Sequence, residues 1–439
     1  MIDPASRHLG QLDQAGLIQR ADTHPELEYL FRHALIQDAA YTSLLRSDRR
    51  RLHRAVAEAL EGLYPDRQAA LAPVLAQHFH AAEAGARALH YYTLAGDQAL
   101  QQHALPEAVA LYTQALDLAA ADPAAALPLY HARGQALERL GAFERARADH
   151  ETALELARTC VDPRAEWQAL LDLGLLWSER DYAQAGTYFQ QAVTQAGALS
   201  DPAPLAHSLN RLGNWHLNHE QPDPALRYHR DALALFQNLG DQAGIATTLD
   251  LLGMTNALSG DVVQSVYYYE PAIVLFQDLD DRPMLISSLA ILAIRGGNYE
   301  YDTVLPVPSS AAAMHQEGER AIRLAQQIGW RAGEAYAWFV LGYGLGPWGE
   351  YTSALQAAQR GLALAEEIGH RQWACAAHWT LGAIYYDLLA VPRARPHLEQ
   401  AVALGQALDS PYWTRLAVAL QADCSVLEQD LPQAARLLA

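Results

Sequence analysis

Residues 170–192 read LLDLGLLWSERDYAQAGTYFQQA. Leu173-Gly174 is followed eleven residues later by Ala185, with Ala192 seven beyond it. The same spacing recurs along the chain. Leu212-Gly213, Leu252-Gly253, Leu341-Gly342 and Leu381-Gly382 repeat the marker pair, and Gly96, Gly134, Ala293 and Ala422 supply equivalent small residues. Successive markers lie 38 to 40 residues apart, with one interval of 49. The small pairs that follow are Ala108 and Ala115, Ala146 and Ala153, Ala225 and Ala232, Ser265 and Ala272, Ala354 and Gly361, and Ala394 and Ala401. Two helices of a hairpin approach closely only where neither side chain obstructs the other, and the next hairpin nests on the same spot. The spacing therefore predicts an all-α array of helix–turn–helix units over residues 86–439, about nine of them with the last incomplete.

Punctuation supports this reading. Asp122-Pro123, Asp162-Pro163 and Asp201-Pro202 place a capping carboxylate before a proline that fits a first helical turn. Gly141, Gly240, Gly260, Gly329 and Gly369 fall where helices should stop, at the left-handed residue that closes the ladder.

The composition narrows the function classes. In 439 residues, 51% are apolar and 18% charged, which is ample for a core and unlike a disordered chain. The net charge of −19 disfavours phosphate-driven nucleic-acid binding, so no direct nucleic-acid partner is expected. All 31 basic residues are arginine. Without lysine there is no Walker A loop, no Schiff base and no Ser-x-x-Lys nucleophile. Cys160, Cys375 and Cys424 are too scattered for a disulfide framework. No apolar run spans a bilayer and Met1–Arg7 lacks a leader's apolar stretch, so a cytoplasmic protein with no membrane partner is expected.

The repeat resembles the tetratricopeptide repeat, which also carries Leu-Gly in its first helix and alanines seven apart in its second. The resemblance implies a right-handed superhelical solenoid whose first helices line a concave face. It departs from the usual repeat length by about five or six residues per unit, placed in the turns. Residues 1–62 follow another pattern: a short helix, two strands at 17–21 and 27–32 around Asp22-Thr23-His24-Pro25, then a connecting helix. Residues 63–85 read as a linker helix. Together with Phe31-Arg32-His33-Ala34-Leu35-Ile36 and Arg49-Arg50-Arg51-Leu52-His53, this resembles the junction of winged helix and repeats in the signal-transduction ATPases with numerous domains (STAND). That resemblance implies that His33 contacts nucleotide held by an upstream domain. No cofactor is expected in this chain, and ADP or ATP only in a longer protein that includes that domain. Both ends read as cut from a larger regulator.

Residues able to do chemistry form no convincing constellation. His216, His219 and Glu220 have a spacing that could hold a metal, but a polar helix terminus is the plainer reading, and no catalytic or metal residue is assigned. Gly342, Gly344 and Gly346 follow no strand, which removes a dinucleotide fingerprint. Arg49–Arg51 reads as a solvated helix face. The chain is not expected to be an enzyme.

Binding is the stronger expectation. The register implied by the repeat family puts His131, Gln135, Glu138 and Arg139 on the concave face, then His207, Asn210, Asn214 and Asn218. Later units offer Tyr336, Phe339 and Tyr343, and Trp379, Tyr386 and Asp387. Asparagines donate and accept, and aromatics give contact area at low entropy cost. The 49-residue interval adds an insertion within Gly296–Ala313, on a face that often binds. The expected function is a sensor array taking a peptide, protein or small-molecule signal and relaying it to a nucleotide-binding domain; the alternative is a constitutive scaffold.

Overall fold

The computed structural model describes residues 4–22, 28–178, 180–293 and 310–438. They form two compact units, Met1–Gln102 with Glu107–Asp122, and His103–Pro106 with Pro123–Ala439. Among the described residues, no helix is long and apolar enough to cross a membrane.

In the first unit, helix Pro4–Gln14 leads into strands β1 (Ile18–Asp22) and β2 (Glu28–Phe31). They pair antiparallel, with Ile18 opposite Phe31 and Arg20 opposite Tyr29. The turn at Thr23–Pro25 lies outside the described residues. Helices Ala34–Ser43, Arg46–Leu63, Gln68–Ala81 and Gly85–Gln101 follow. The arginine cluster is a solvated face. Arg46 and Arg50 pair with Glu83, Arg51 with Asp48, and the Arg49 guanidinium lies 5.1 Å from the Tyr41 ring. His33 is exposed at the start of Ala34–Ser43 and makes no side-chain capping bond.

The second unit carries the array. Its hairpins, named by marker residue, are Gly134 (Pro123–Arg139, Phe143–Cys160), Gly174 (Pro163–Ser178, Tyr182–Gly197), Gly213 (Ala203–Asn218, Pro222–Leu239) and Gly253 (Gln242–Leu258, Val262–Asp278). Ala293 (Arg282–Ala293, Ala311–Gln327), Gly342 (Arg331–Leu345, Tyr351–Glu367), Gly382 (Arg371–Asp387, Val391–Ala407) and Ala422 (Pro411–Leu427, Leu431–Leu438) follow. The expected insertion lies outside the described residues, save its end, where Ser310 caps the next helix through the Ala313 amide.

All marker glycines but Gly342 make room for one bulky side chain of the partner helix. A β-carbon at Gly134, Gly174, Gly213, Gly253 or Gly382 would fall inside 3.0 Å of His150, Phe189, His229, Tyr269 or Leu398, and Gly96 stands the same way to Tyr112 in the first unit. The Gly342 hairpin is closer still. Its partner position holds Ala358, and a β-carbon at Gly342 would meet backbone, Ala354 O at 2.8 Å and Ala358 N at 2.9 Å. Gly361 answers with Phe339 N at 2.8 Å.

The corners follow the expected chemistry. Gly141, Gly240, Gly260, Gly329 and Gly369 all have positive φ. Val161, Glu220, Asp280, Leu389, Asp409 and Gln429 fill the same corner elsewhere, a conformation that is costly for side-chain-bearing residues. Asp162, Asp181, Asp241 and Asp261 accept hydrogen bonds from amides of the turn they precede.

Curvature follows from which helices touch. First helices of neighbouring hairpins meet, as in the Gly174–Gly213, Gly213–Gly253 and Gly342–Gly382 pairs; among the described residues, the second helices show no such extended contact with each other. The tighter side of a stack is its inner side, so first helices line it. The array also turns back on itself. The Tyr182 amide donates to Leu408 O at 3.0 Å, and Arg415 pairs with Glu220 across 195 positions.

Candidate functional site

Side-chain hydrogen bonds join consecutive first helices into a seam. His131 Nδ1 lies 2.7 Å from Asp172 Oδ2. Trp167 Nε1 donates to Ser208 Oγ at 2.7 Å, and Asn210 Nδ2 to Thr248 Oγ1 at 2.7 Å. The Ser288 hydroxyl donates to Asp250. The seam then becomes aromatic: Trp373 rings with Tyr336 and Phe339 at 4.9 and 5.5 Å, and Tyr343 with Trp379 at 5.6 Å.

This seam corrects part of the expected ligand set. Asn210 is buried, its amide spent on Thr248 and its oxygen 3.2 Å from His229 Nδ1. Tyr336, Phe339, Tyr343 and Trp379 are buried in the packed interior rather than lining an open wall. Their register position is where neighbouring first helices meet, and large rings fill that gap. Tyr386 and Asp387 are half-buried at the end of their helix. Tyr343→Ala should therefore destabilise by about 3–5 kcal/mol, as large buried aromatics do, while Asn214→Ala should stay within about 0.5 kcal/mol. Urea midpoints of the two variants check the contrast.

The open polar part lies on the Gly134 and Gly213 first helices. His131, Gln135 and Glu138 are half-buried and Arg139 exposed. Gln135 Nε2 sits 3.1 Å from His131 Nε2. His207 is exposed, its ring edge-on to Phe236 at 4.9 Å. Asn218 is occupied by Asn214 O at 2.9 Å and the Tyr182 hydroxyl at 3.3 Å. Among the described residues, the Asn214 amide makes no hydrogen bond and Arg211 no salt bridge. Arg211 was not in the expected set, since it falls two residues before the marker.

Charges sharpen this patch. Burial pulls the Arg211 guanidinium down from its ordinary value, and the Glu138 carboxylate works against that. Burial also disfavours charge on His131, but the Asp172 hydrogen bond and the Asp172 and Glu138 charges outweigh it and hold its pKa above the usual value. Deeper in the seam, burial pushes the Asp250 carboxyl up to about 7, with the Ser288 hydrogen bond only partly opposing it.

The terminal polar group at residues 216–220 is spent locally. His216 Nδ1 lies 2.7 Å from Gln221 Oε1, His219 Nδ1 3.0 Å from Trp215 O, and Glu220 pairs with Arg415. In the first unit, an open groove of about 620 Å³ has Glu58, Glu61, Arg87 and Tyr91 in its lining, but these four pair among themselves.

Residues 127–160 match the family model of the tetratricopeptide repeat, which covers the Gly134 hairpin from just after the first turn of its first helix to the end of its second. No curated protein matches the sequence. Among solved structures, the chain is similar to the apo form of the quorum sensor NprR from B. thuringiensis, at 14% identity and TM-score 0.52 over 75% of this chain and 92% of that one. It is also similar to a Rap protein complexed with Competence and Sporulation Factor (12%, TM-score 0.51, 79% and 99%) and to the apo form of RapI (11%, TM-score 0.51, 64% and 98%). At such identities the likeness is one of fold, and that fold is an all-α solenoid of tetratricopeptide-like hairpins.

Proposed function

We propose that the array is a sensor whose first-helix face, around Gln135, Glu138, Arg211 and Asn214, binds an extended peptide or protein segment bearing an acidic group. The observation that carries this is Arg211. A half-buried guanidinium without a salt bridge, beside an asparagine amide with its donors unspent, is costly unless something external accepts those hydrogen bonds. On either side of it, neighbouring first helices are joined by Trp167–Ser208 and Asn210–Thr248 hydrogen bonds. Proteins of this fold include a quorum sensor and a Rap protein complexed with Competence and Sporulation Factor, which agrees with a sensing role. In a STAND-type regulator, binding would favour one arrangement of the hairpins and bias an attached nucleotide-binding domain, with His33 at its nucleotide.

Capture from native lysate by the chain and by an Arg211→Ala/Asn214→Ala double variant tests the reading. The wild type should retain a polypeptide that the equally stable double variant loses. Recovery of the same partners by both would contradict it.

A further inference from the structure

One cluster beside this face is not explained by packing. His150 fills the bulky position against Gly134, where a β-carbon would come within 2.6 Å of its ring. The equivalent position holds Phe189, Tyr269 or Leu398 in other hairpins, and in the Gly213 hairpin His229, whose Nδ1 faces Asn210 Oδ1 at 3.2 Å. His150 is fully buried, and neither of its ring nitrogens has a hydrogen-bond partner. Asp172 Oδ2, also buried, lies 3.9 Å from His150 Nδ1 without a hydrogen bond to it. His131 Nδ1 approaches the same oxygen at 2.7 Å. The three ligand atoms all lie within 4.8 Å of one another.

We propose that His131, His150 and Asp172 form a binding site for a divalent transition-metal cation that ties the Gly134 hairpin to the first helix of the Gly174 hairpin. Two imidazoles and a carboxylate are a donor set that zinc and its neighbours accept. Ligands about 2.0–2.1 Å from a tetrahedral ion sit roughly 3.4 Å apart. The two histidine–Asp172 separations of 2.7 and 3.9 Å bracket that value, and no pair of ligand atoms is more than 4.8 Å apart, so side-chain rotations bring them into place.

Groups that could support metal ligands stand around the cluster. A ligating histidine normally presents its second nitrogen to a carboxylate or amide, and ligating carboxylates are themselves held. Glu138 Oε2 stands 3.7 Å from His150 Nε2, and Gln135 faces His131 Nε2 at 3.1 Å. The other Asp172 oxygen accepts from Gln168 Nε2 at 3.0 Å. Three protein ligands leave a coordination position open. The site departs from the expectation of no metal residues because its members come from three helices, 19 to 41 positions apart, with no sequence spacing to mark them.

The inference is independent of the peptide-binding reading and is tested separately. The chelator-treated chain, on a Cys160→Ser background that removes the exposed thiol, is titrated with zinc alone. One equivalent should bind in the micromolar range or tighter, with a rise in thermal midpoint. His150→Phe keeps the ring packing used against Gly174 and should weaken binding at least 100-fold. His131→Ala should lower affinity similarly, and His216→Ala should leave it unchanged. Cobalt should give the visible bands of a four-coordinate ion in the wild type and not in His150→Phe. Absence of stoichiometric binding, or equal binding by His150→Phe, would overturn the site and leave the cluster an unsatisfied polar core.

Discussion

Gly342→Leu should destabilise the array by about 3 kcal/mol or more, beyond the 1–3 kcal/mol usual for overpacking. The reason is what the new side chain meets. At Gly213 the obstacle is the His229 ring, a side chain rather than backbone, so Gly213→Leu should fall within the usual range. At Gly342 the obstacles are the Ala354 carbonyl and the Ala358 amide, and they move only if helix Tyr351–Glu367 moves. That helix packs through Ala354, Ala357 and Ala358 in the largest apolar cluster of the second unit, so the displacement spreads. The higher helix propensity of leucine returns under about 1 kcal/mol and does not change the sign. Gly197, with nothing within 4 Å, is the control, and Gly197→Ala should be neutral or mildly stabilising. Urea denaturation of the three variants checks the order.

The second large effect depends on pH. The Asp250 carboxyl, raised to about 7 by burial, keeps its proton in the fold at pH values where the unfolded chain has lost it. From about pH 4 to 7 the folded state binds more protons, so this group's contribution falls as pH rises and is fully lost above 7. Three units at 1.36 kcal/mol each make that about 4 kcal/mol as an upper bound. Asp250→Asn keeps the shape and an acceptor for Ser288 but cannot ionise. It should exceed wild type by up to about 4 kcal/mol at pH 8, with the gap closing towards pH 5. His229 and His370, held by burial at about 3, act in the opposite sense in both proteins, so the difference between variant and wild type isolates Asp250. A gap independent of pH would mean that Asp250 is ionised in the fold.

Much of this architecture was legible because it rests on local steric necessity. Gly174, Gly213 and Gly382 had to be small because helices cross there, and Gly240 or Gly369 because only glycine turns that corner without cost. A further signal is the bulky residue four positions after the first small one, Tyr112, His150, Phe189, His229, Tyr269 and Leu398, which every marker glycine except Gly342 accommodates. The ligand face was less legible. Asn210 and Asn214 sit one helical turn apart, yet one is stitched to Thr248 and the other is not. Tyr336 and Trp379 read as groove residues because their register matched, but how closely neighbouring first helices approach is set by the whole stack. Likewise, His150 and Asp172, or Glu220 and Arg415, meet only through tertiary geometry.

Spin labels at Glu220 and Arg415, with distances read by electron–electron double resonance, test most directly whether first helices line the inside of an array that turns back on itself. These residues pair although the Gly213 and Ala422 hairpins are five apart in sequence. The structure requires one narrow, short distance, within about 20 Å, whereas hairpins spaced at about 8–10 Å in an open rod would put the labels about 40–50 Å apart. A long or broad distribution would contradict the account.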